Sequence, residues 1–206
     1  MTDTTRKKGR PLSFDRNAAL RKAMLLFWEH GYEATSLNDL TTALDVKPSS
    51  IYSAFGDKKG LFFDAIGLYL SGPVTADTII AQAPSAHAAA SELLRVSAIG
   101  FTGATTPAGC LLASSAISCS HAAREVRQAL GAIRGAIEER LRLKIVQSIE
   151  DRQLPHETDA AALAALTMAV IQGMSTLARD GAPREKLLLV AEVAMLGWPK
   201  PAAVAA

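Results

Sequence analysis

The sequence feature that most constrains the fold is a pair of short apolar-patterned segments separated by only three residues. Residues 37–44 repeat leucine at helical spacing, and residues 48–55 carry isoleucine and phenylalanine four positions apart. Pro48 opens the second segment, at a position where a helix tolerates proline because the first N–H has no partner within the helix. The intervening residues 45–47 predict a tight turn, and the two segments together predict a helix-turn-helix.

Longer helical patterns flank this pair on both sides. The pattern over residues 16–30 predicts a first helix, with Ser13 or Asp15 as its N-cap and Gly31 as the left-handed residue that ends it. Asp57 caps a fourth predicted helix, which ends near residues 72–73. We interpret Phe27, Leu40, Val46, Ile51 and Phe55 as core residues of this unit.

The remainder of the chain also predicts helices. Hydrophobic residues make up 49% of the chain and aromatics only 5%, with abundant alanine and leucine, a composition that favours helix over sheet. After a connector or short helix over 72–84, helices are predicted near 85–103, 108–119, 121–153, 158–179 and 183–197. We therefore predict an all-α fold, with a three-helix helix-turn-helix head joined to a larger helical body.

Charge is unevenly distributed along the chain. The formal net charge is +2, but residues 1–60 carry ten Lys/Arg against seven Asp/Glu, and residues 61–206 carry twelve against thirteen. The arm over residues 1–12 is the most basic stretch, which indicates either a polyanion at this end or a solubilising tail. No apolar run long enough to cross a bilayer and no apolar leader is evident, so we expect a cytoplasmic protein with no membrane partner.

Two stretches in the predicted head resemble the opening of TetR-family regulators. They are residues 27–40 (FWEHGYEATSLNDL) and 46–61 (VKPSSIYSAFGDKKGL), within a likeness that covers residues 13–72. The resemblance implies a DNA-binding domain over 13–72 and a regulatory and dimerisation domain over 73–206. It also implies double-stranded operator DNA as a partner.

The resemblance assigns roles to particular residues. The hydroxyls of Thr35 and Tyr52 and the ammonium of Lys58 are implied to hold the DNA backbone, and Lys47, Ser49, Ser50 and Ser53 to face the major groove. Arg10, between Gly9 and Pro11, resembles a hook for the A·T minor groove, and a flexible basic tail is the alternative. The full predicted DNA-binding set is Arg10, Thr35, Ser36, Lys47, Pro48, Ser49, Ser50, Tyr52, Ser53 and Lys58.

Several positions depart from the family pattern. Asp45 and Ser50 stand where glycine is frequent, and Ser53 and Ala54 stand where bulkier aromatic or histidine side chains are usual. Aspartate tolerates a left-handed backbone at some cost, so these departures preserve the fold. They bear on which operator sequence is bound.

The predicted body suggests a dimer and a ligand pocket. Its last two helices are rich in Ala, Leu, Met and Val, which predicts pairing across a two-fold axis into a four-helix bundle. The predicted effector pocket lies among the middle helices and comprises Phe101, Cys110, Ser114, Met168, Gln172 and Met174; ordinary core packing is the alternative for each. Cys110 could also sense oxidants or electrophiles, or be an inert buried thiol.

These features predict a ligand-responsive repressor that binds a palindromic operator as a homodimer and is released by a small-molecule effector. Redox or electrophile sensing through Cys110 and non-specific architectural DNA binding remain as alternatives. We predict no enzymatic activity, because the four histidines have no paired nucleophile or carboxylate spacing. The sequence shows no metal or cofactor motif, and the two cysteines are too sparse for a zinc site.

Overall fold

A computed structural model of the chain describes residues 14–115 and 123–199. Within these ranges the protein is entirely helical, with no strand. The predicted arm over 1–12, including Arg10, lies outside the described residues. The helices are α1 (Arg16–His30), α2 (Leu37–Leu44), α3 (Pro48–Phe55), α4 (Lys58–Leu70), α5 (Ala76–Gln82), α6 (Ala86–Gly100), α7 (Leu111–Ser114), α8 (Arg124–Glu150), α9 (Ala160–Arg179) and α10 (Arg184–Leu196).

Side-chain caps fix the beginnings of the first helices. Asp15 accepts hydrogen bonds from the first N–H groups of α1, and Asp57 accepts one from Gly60 N at 2.7 Å at the beginning of α4. Ser36 and Asp39 form a reciprocal capping box at α2. Asp45 ends α2 in the left-handed conformation, with φ 54°, as its polar side chain permits. The head therefore adopts the predicted helix-turn-helix.

The core of the head, α1–α4, extends into the rest of the molecule. Phe27, Leu40 and Ile51 are fully buried, and Phe27 meets Phe62 edge to face with ring centroids 5.0 Å apart. The same apolar cluster includes Leu111, Leu112, Val126 and Leu130 of α7 and α8. The predicted core residues of the head are buried, except Val46, which is half-buried. The head is therefore packed directly onto the body, α5–α10.

The body contains the short helix that was one of the two alternatives predicted for 72–84, and it departs from the predicted helices at the next segment but one. The 72–84 connector contains α5, which Thr75 and Thr78 cap reciprocally. The helix predicted over 108–119 is limited in the described residues to α7, four residues long, because Gly109 has φ +80° and Cys110 is extended. Residues 116–119 of that prediction lie outside the described residues.

The last two helices leave apolar side chains exposed. Leu166 of α9 is 47% exposed, and Leu189, Val193 and Leu196 of α10 are 58%, 56% and 82% exposed. By length and composition alone, α9 is long and apolar enough to cross a membrane, so the expectation that the chain has no apolar run of this length was wrong. Core helices of soluble proteins pass the same test. The other side of α9 packs in the body, where Ala164, Met168 and Met174 are buried.

Candidate nucleic-acid interface and internal cavity

Helix α3 presents a polar ridge to solvent. Lys47, Pro48, Ser49, Tyr52 and Ser53 are exposed, and Ser50 is half-buried. On the opposite side of the same helix, Ile51 is fully buried and Phe55 is 8% exposed. Because apolar anchors and polar ridge lie on opposite sides of one short helix, the ridge projects outward from the head.

Arg16 holds α3 in place from α1. Its guanidinium lies 4.6 Å from the ring centroid of Phe55 and donates to Asp64 of α4 at 2.5 Å. It also reaches the carbonyl of Ala54 at 3.5 Å. These contacts connect three helices of the head, so the ridge of α3 is oriented by α1 and α4 as well as by its own turn.

Thr35 does not occupy the position that the resemblance implies for its side chain. It is 1% exposed, and its hydroxyl donates to the carbonyl of Gly31 at 2.7 Å. Ser36 is exposed and is the N-cap of α2. The expectation that the Thr35 hydroxyl meets a phosphate is therefore corrected: burial and its internal hydrogen bond commit it to the fold, and Ser36 lies at the surface instead.

Lys58 lies at the beginning of α4 but folds back onto the protein. Its Nζ is 4.5 Å from the ring centroid of Tyr32, a cation–π contact. Desolvation lowers the pKa of Lys58, partly offset by the nearby carboxylates of Glu33 and Asp39. Its predicted phosphate contact therefore requires the side chain to leave the Tyr32 ring.

A second candidate site is a cavity of about 310 Å³ in the body, which opens to solvent beside the exposed Val74. It lies between α4, α6, α8 and α9, among the middle helices where the effector pocket was predicted. Phe101, Cys110, Met168 and Gln172 line it, as predicted. Met174 instead is fully buried in the cluster around Leu94 and Ala98, and Ser114 donates to the Cys110 carbonyl at 2.7 Å, so neither contributes to the wall.

Most of the other lining residues were not predicted from the sequence, and three of them matter for the chemistry of the cavity. Trp28 and Tyr69 reach the cavity from the head, with ring centroids 5.0 Å apart and edge to face. Arg134 reaches it from α8. The signal for Arg134 was present in the sequence, since it interrupts the apolar spacing that runs from Leu130 to Leu141.

Tyr69 and Cys110 form a polar contact in the cavity wall. The hydroxyl and the thiol sulfur are 3.5 Å apart. Burial, followed by the interaction with Cys110, raises the pKa of Tyr69 well above its ordinary value. The tyrosine is therefore a neutral hydroxyl at physiological pH.

Residues 109–115, here called the junction segment, contact the cavity and the head at once. Cys110, Leu112 and Ala113 line the cavity. The indole N–H of Trp28 donates to the Gly109 carbonyl at 3.0 Å, and Tyr32 N donates to the Ser115 carbonyl at 3.2 Å. The junction segment therefore connects the cavity wall directly to the end of α1.

Arg179 of α9 reinforces this connection. It donates to the carbonyls of Trp28 and Glu29, at 3.1 and 2.8 Å, where the last turn of α1 leaves its acceptors free. Ser175 of the same helix accepts from Cys110 N at 2.8 Å. Lys59 and Glu125 add an ion pair of 2.6 Å between α4 and α8.

The buried helix-turn-helix scaffold, its outward polar ridge and the attached helical body with a cavity define a DNA-binding transcriptional regulator. Residues 19–65 match the family described as bacterial regulatory proteins, tetR family, and residues 92–187 match the tetracyclin repressor-like C-terminal domain. The chain belongs to the TetR family of helix-turn-helix transcriptional repressors.

Individual relatives cover nearly the whole chain. The HTH-type transcriptional repressor ComR of Escherichia coli (strain K12) is 35% identical over 205 residues, 97% of this chain and 98% of that protein. A solved structure of a cysteine mutant of the TetR family transcriptional regulator CifR, complexed with 26-bp double-strand operator DNA, is 40% identical. It covers 93% of this chain and 100% of that chain with a TM-score of 0.87. The fold and family thus agree with the expectation from the sequence.

Proposed function

We propose that this protein is a ligand-responsive repressor that binds a roughly palindromic operator as a homodimer. The observation that carries the proposal is the exposed ridge of α3, backed by the buried Ile51 and Phe55. A short helix anchored in this way fits the major groove and offers hydroxyl and ammonium groups to base edges and phosphates. Lys47, Ser49, Ser50, Ser53 and Tyr52 are the proposed contacts from this helix.

A homodimer is supported by the apolar surface of α9 and α10. Leu189, Val193 and Leu196 lie on the exposed side of α10, and water contact with such a stripe is unfavourable. Pairing α9 and α10 with their copies buries this stripe and supplies two recognition helices. In a dimer these would read half-sites separated by about one helical turn, roughly 34 Å, or a multiple of it.

Release by an effector is supported by the position of the cavity. Its wall includes Trp28 and Tyr69 of the head and Cys110 and Leu112 of the junction segment. A ligand that fits one arrangement of these residues better than another shifts the head between conformations. The effector thereby weakens operator binding, in a cytoplasmic protein without catalytic activity.

Mobility shift with the DNA upstream of the protein's own gene tests the proposal. We expect retention that survives excess unrelated competitor DNA, with two half-sites protected in a footprint. Tyr52→Phe should weaken binding to every sequence, whereas Ser53→Ala should change the preferred sequence. Retention without sequence preference would instead favour the architectural alternative.

Sensing through Cys110 remains a second candidate, and the contact between its thiol and the Tyr69 hydroxyl inside the cavity favours it. A covalent adduct on this sulfur would occupy the cavity and displace the tyrosine. Operator release by N-ethylmaleimide in the wild type, and its absence in Cys110→Ser, would support this candidate. Release in both proteins would refute it.

A further inference from the structure

One charged residue stands out in the cavity. On the inward side of α8, Leu130, Leu141 and Ile145 are fully buried. Arg134 occupies the position between Leu130 and Ile137 in this stripe, and it lines the cavity. Among the described residues that line the cavity, it is the single side chain with a formal charge.

Among the described residues, Arg134 has no carboxylate partner of the kind that Arg140 and Arg142 of the same helix have. Arg142 pairs with Glu139 at 2.7 Å, and Arg140 pairs with Asp77. Within residues 14–115 and 123–199, Arg134 forms no ion pair, and its Nη1 donates to the carbonyl of Leu112. A guanidinium has five N–H donors, so this hydrogen bond leaves most of its capacity available.

Arg134 is half-buried against an apolar wall, where a counter-charge stabilises a cation more than it would in bulk water. The described lining contains no Asp or Glu, and most of it is aliphatic or aromatic. A ligand carboxylate would supply the missing charge and could accept two parallel hydrogen bonds from the guanidinium. A cavity of about 310 Å³ is at the small end of ligand sites, which limits the size of the apolar part.

We infer that the effector is a small, mostly apolar monocarboxylic acid whose carboxylate binds Arg134. This inference rests on the proposed function, in which the cavity is the effector site. The acyl or aryl part lies against Phe101, Met168 and Ile171, which line the same cavity.

The same arginine explains how the acid acts on the head. Its Nη1 donates to the carbonyl of Leu112 in the junction segment. The same segment supplies the Gly109 carbonyl, which accepts a hydrogen bond from Trp28, and the Ser115 carbonyl, which accepts one from Tyr32. A carboxylate competes with the Leu112 carbonyl for the guanidinium. Binding therefore loosens the junction segment from α8 and alters its contacts with α1.

Calorimetric titration of the full chain with two matched probe pairs, benzoate with benzamide and hexanoate with hexanamide, tests the inference. We expect each acid to bind at least about tenfold more tightly than its amide, the difference that a charge-assisted pair supplies. Arg134→Gln should remove this preference while its amide can still donate to the Leu112 carbonyl. Arg142→Gln, which removes a paired surface arginine, should leave it unchanged.

Three results would overturn the inference. The first is equal binding of acid and amide in the wild type, and the second is an acid preference that persists in Arg134→Gln. The third is no heat and no thermal shift with either acid at millimolar concentration. A mobility shift with operator DNA on the same preparations separates these failures from a failure of the proposed function. If the protein still retains the operator, and a neutral compound releases it, the proposed function stands although the inference about the acid fails.

Discussion

Arg179 donates through Nη2 to the carbonyl of Glu29 at 2.8 Å, which joins two residues 150 positions apart in the chain. Glu29 lies in the last turn of α1, where carbonyls have no partner within the helix and where a cation is favoured by the helix dipole. Arg179 lies in the last turn of α9. The end of the head's first helix is thus capped by the body.

Arg179→Ala should lower the free energy of unfolding by about 1 to 2 kcal/mol, because two charge-assisted hydrogen bonds at a partly exposed site are lost. It should also change operator affinity, since α1 loses its attachment to α9. Urea denaturation and mobility shift measure the two effects.

Arg184→Ala is the matched control for that variant. Arg184 donates to the Thr102 hydroxyl and carbonyl, both at 3.1 Å, so these hydrogen bonds stay within the body. It should lower stability to a similar degree and leave operator affinity unchanged. An equal loss of operator affinity in both variants would contradict the role assigned to Arg179.

Gly109→Ala should destabilise the protein more than Gly181→Ala. Both glycines have positive φ, +80° and +86°, so each alanine carries the left-handed penalty of about 1 to 2 kcal/mol. A Cβ at Gly109 would also lie 2.8 Å from the Ser175 carbonyl oxygen and 2.9 Å from Arg179 Cγ, whereas one at Gly181 meets nothing within 4 Å. Thermal unfolding of both variants measures the difference, and equal melting temperatures would refute the steric argument.

Leu189→Glu and Val193→Glu should convert the proposed dimer to monomers, because each places a charge in the apolar stripe of α10. Sedimentation equilibrium measures the mass directly. Leu143→Glu is the control, since Leu143 is similarly exposed at 52% but lies on α8. A dimer that survives both α10 substitutions would exclude this stripe as the interface.

Lys58→Ala should weaken binding to all duplexes and reduce the salt slope of binding by about one unit, as expected for one lost phosphate contact. The ammonium has to leave the Tyr32 ring to make that contact. Lys144→Ala, which removes a charge from α8, should leave the slope unchanged. An unaltered slope in Lys58→Ala would exclude a phosphate contact by Lys58.

The capping box of α2 should weaken in acid. The hydroxyl and backbone N–H of Ser36 lower the pKa of Asp39 below its ordinary value of 3.8. A lowered folded-state pKa stabilises the protein above about pH 4, and this stabilisation is lost as the pH falls through the folded pKa. The stability difference between wild type and Asp39→Asn should therefore shrink in this range.

NMR titration of the Asp39 carboxyl provides an independent check of the same hydrogen bonds. In Ser36→Ala the pKa of Asp39 should rise, because the hydroxyl is the largest cause of the shift. An unchanged pKa would show that the capping box does not persist in solution.

The head was predictable from sequence because its signals are local. Three helices of the head begin where the spacing of apolar residues predicts, and each beginning has a capping side chain: Asp15, Ser36 and Asp57. Asp45 has the left-handed backbone that the sequence analysis allows. The phosphate contact predicted for Thr35 does not agree with the structure, because its hydroxyl donates to the Gly31 carbonyl four residues earlier. Burial of the side chain favours this internal hydrogen bond, and a sequence motif does not reveal burial.

The cavity was only partly predictable, because its wall depends on contacts between distant segments. Phe101 and Met168 were found from their apolar surroundings, but Met174 on the same helix as Met168 is rotated into the neighbouring cluster. Trp28 and Tyr69 were missed because both belong to the head in sequence. Nothing local indicates that Trp28 contacts Gly109, 81 residues later, or that Tyr69 contacts Cys110, 41 residues later.

The double role of the junction segment limits how this regulator can change. A substitution at Cys110 or Leu112 that reshapes the pocket for a different molecule also moves the carbonyls on which α1 rests. Under the proposed function, inducer specificity and repression strength are therefore not independently adjustable at these positions. Variants selected for a new inducer should carry compensating changes at Trp28, Tyr32 or Arg179, and positions on α6 such as Val96 offer a route to altered specificity that leaves repression intact.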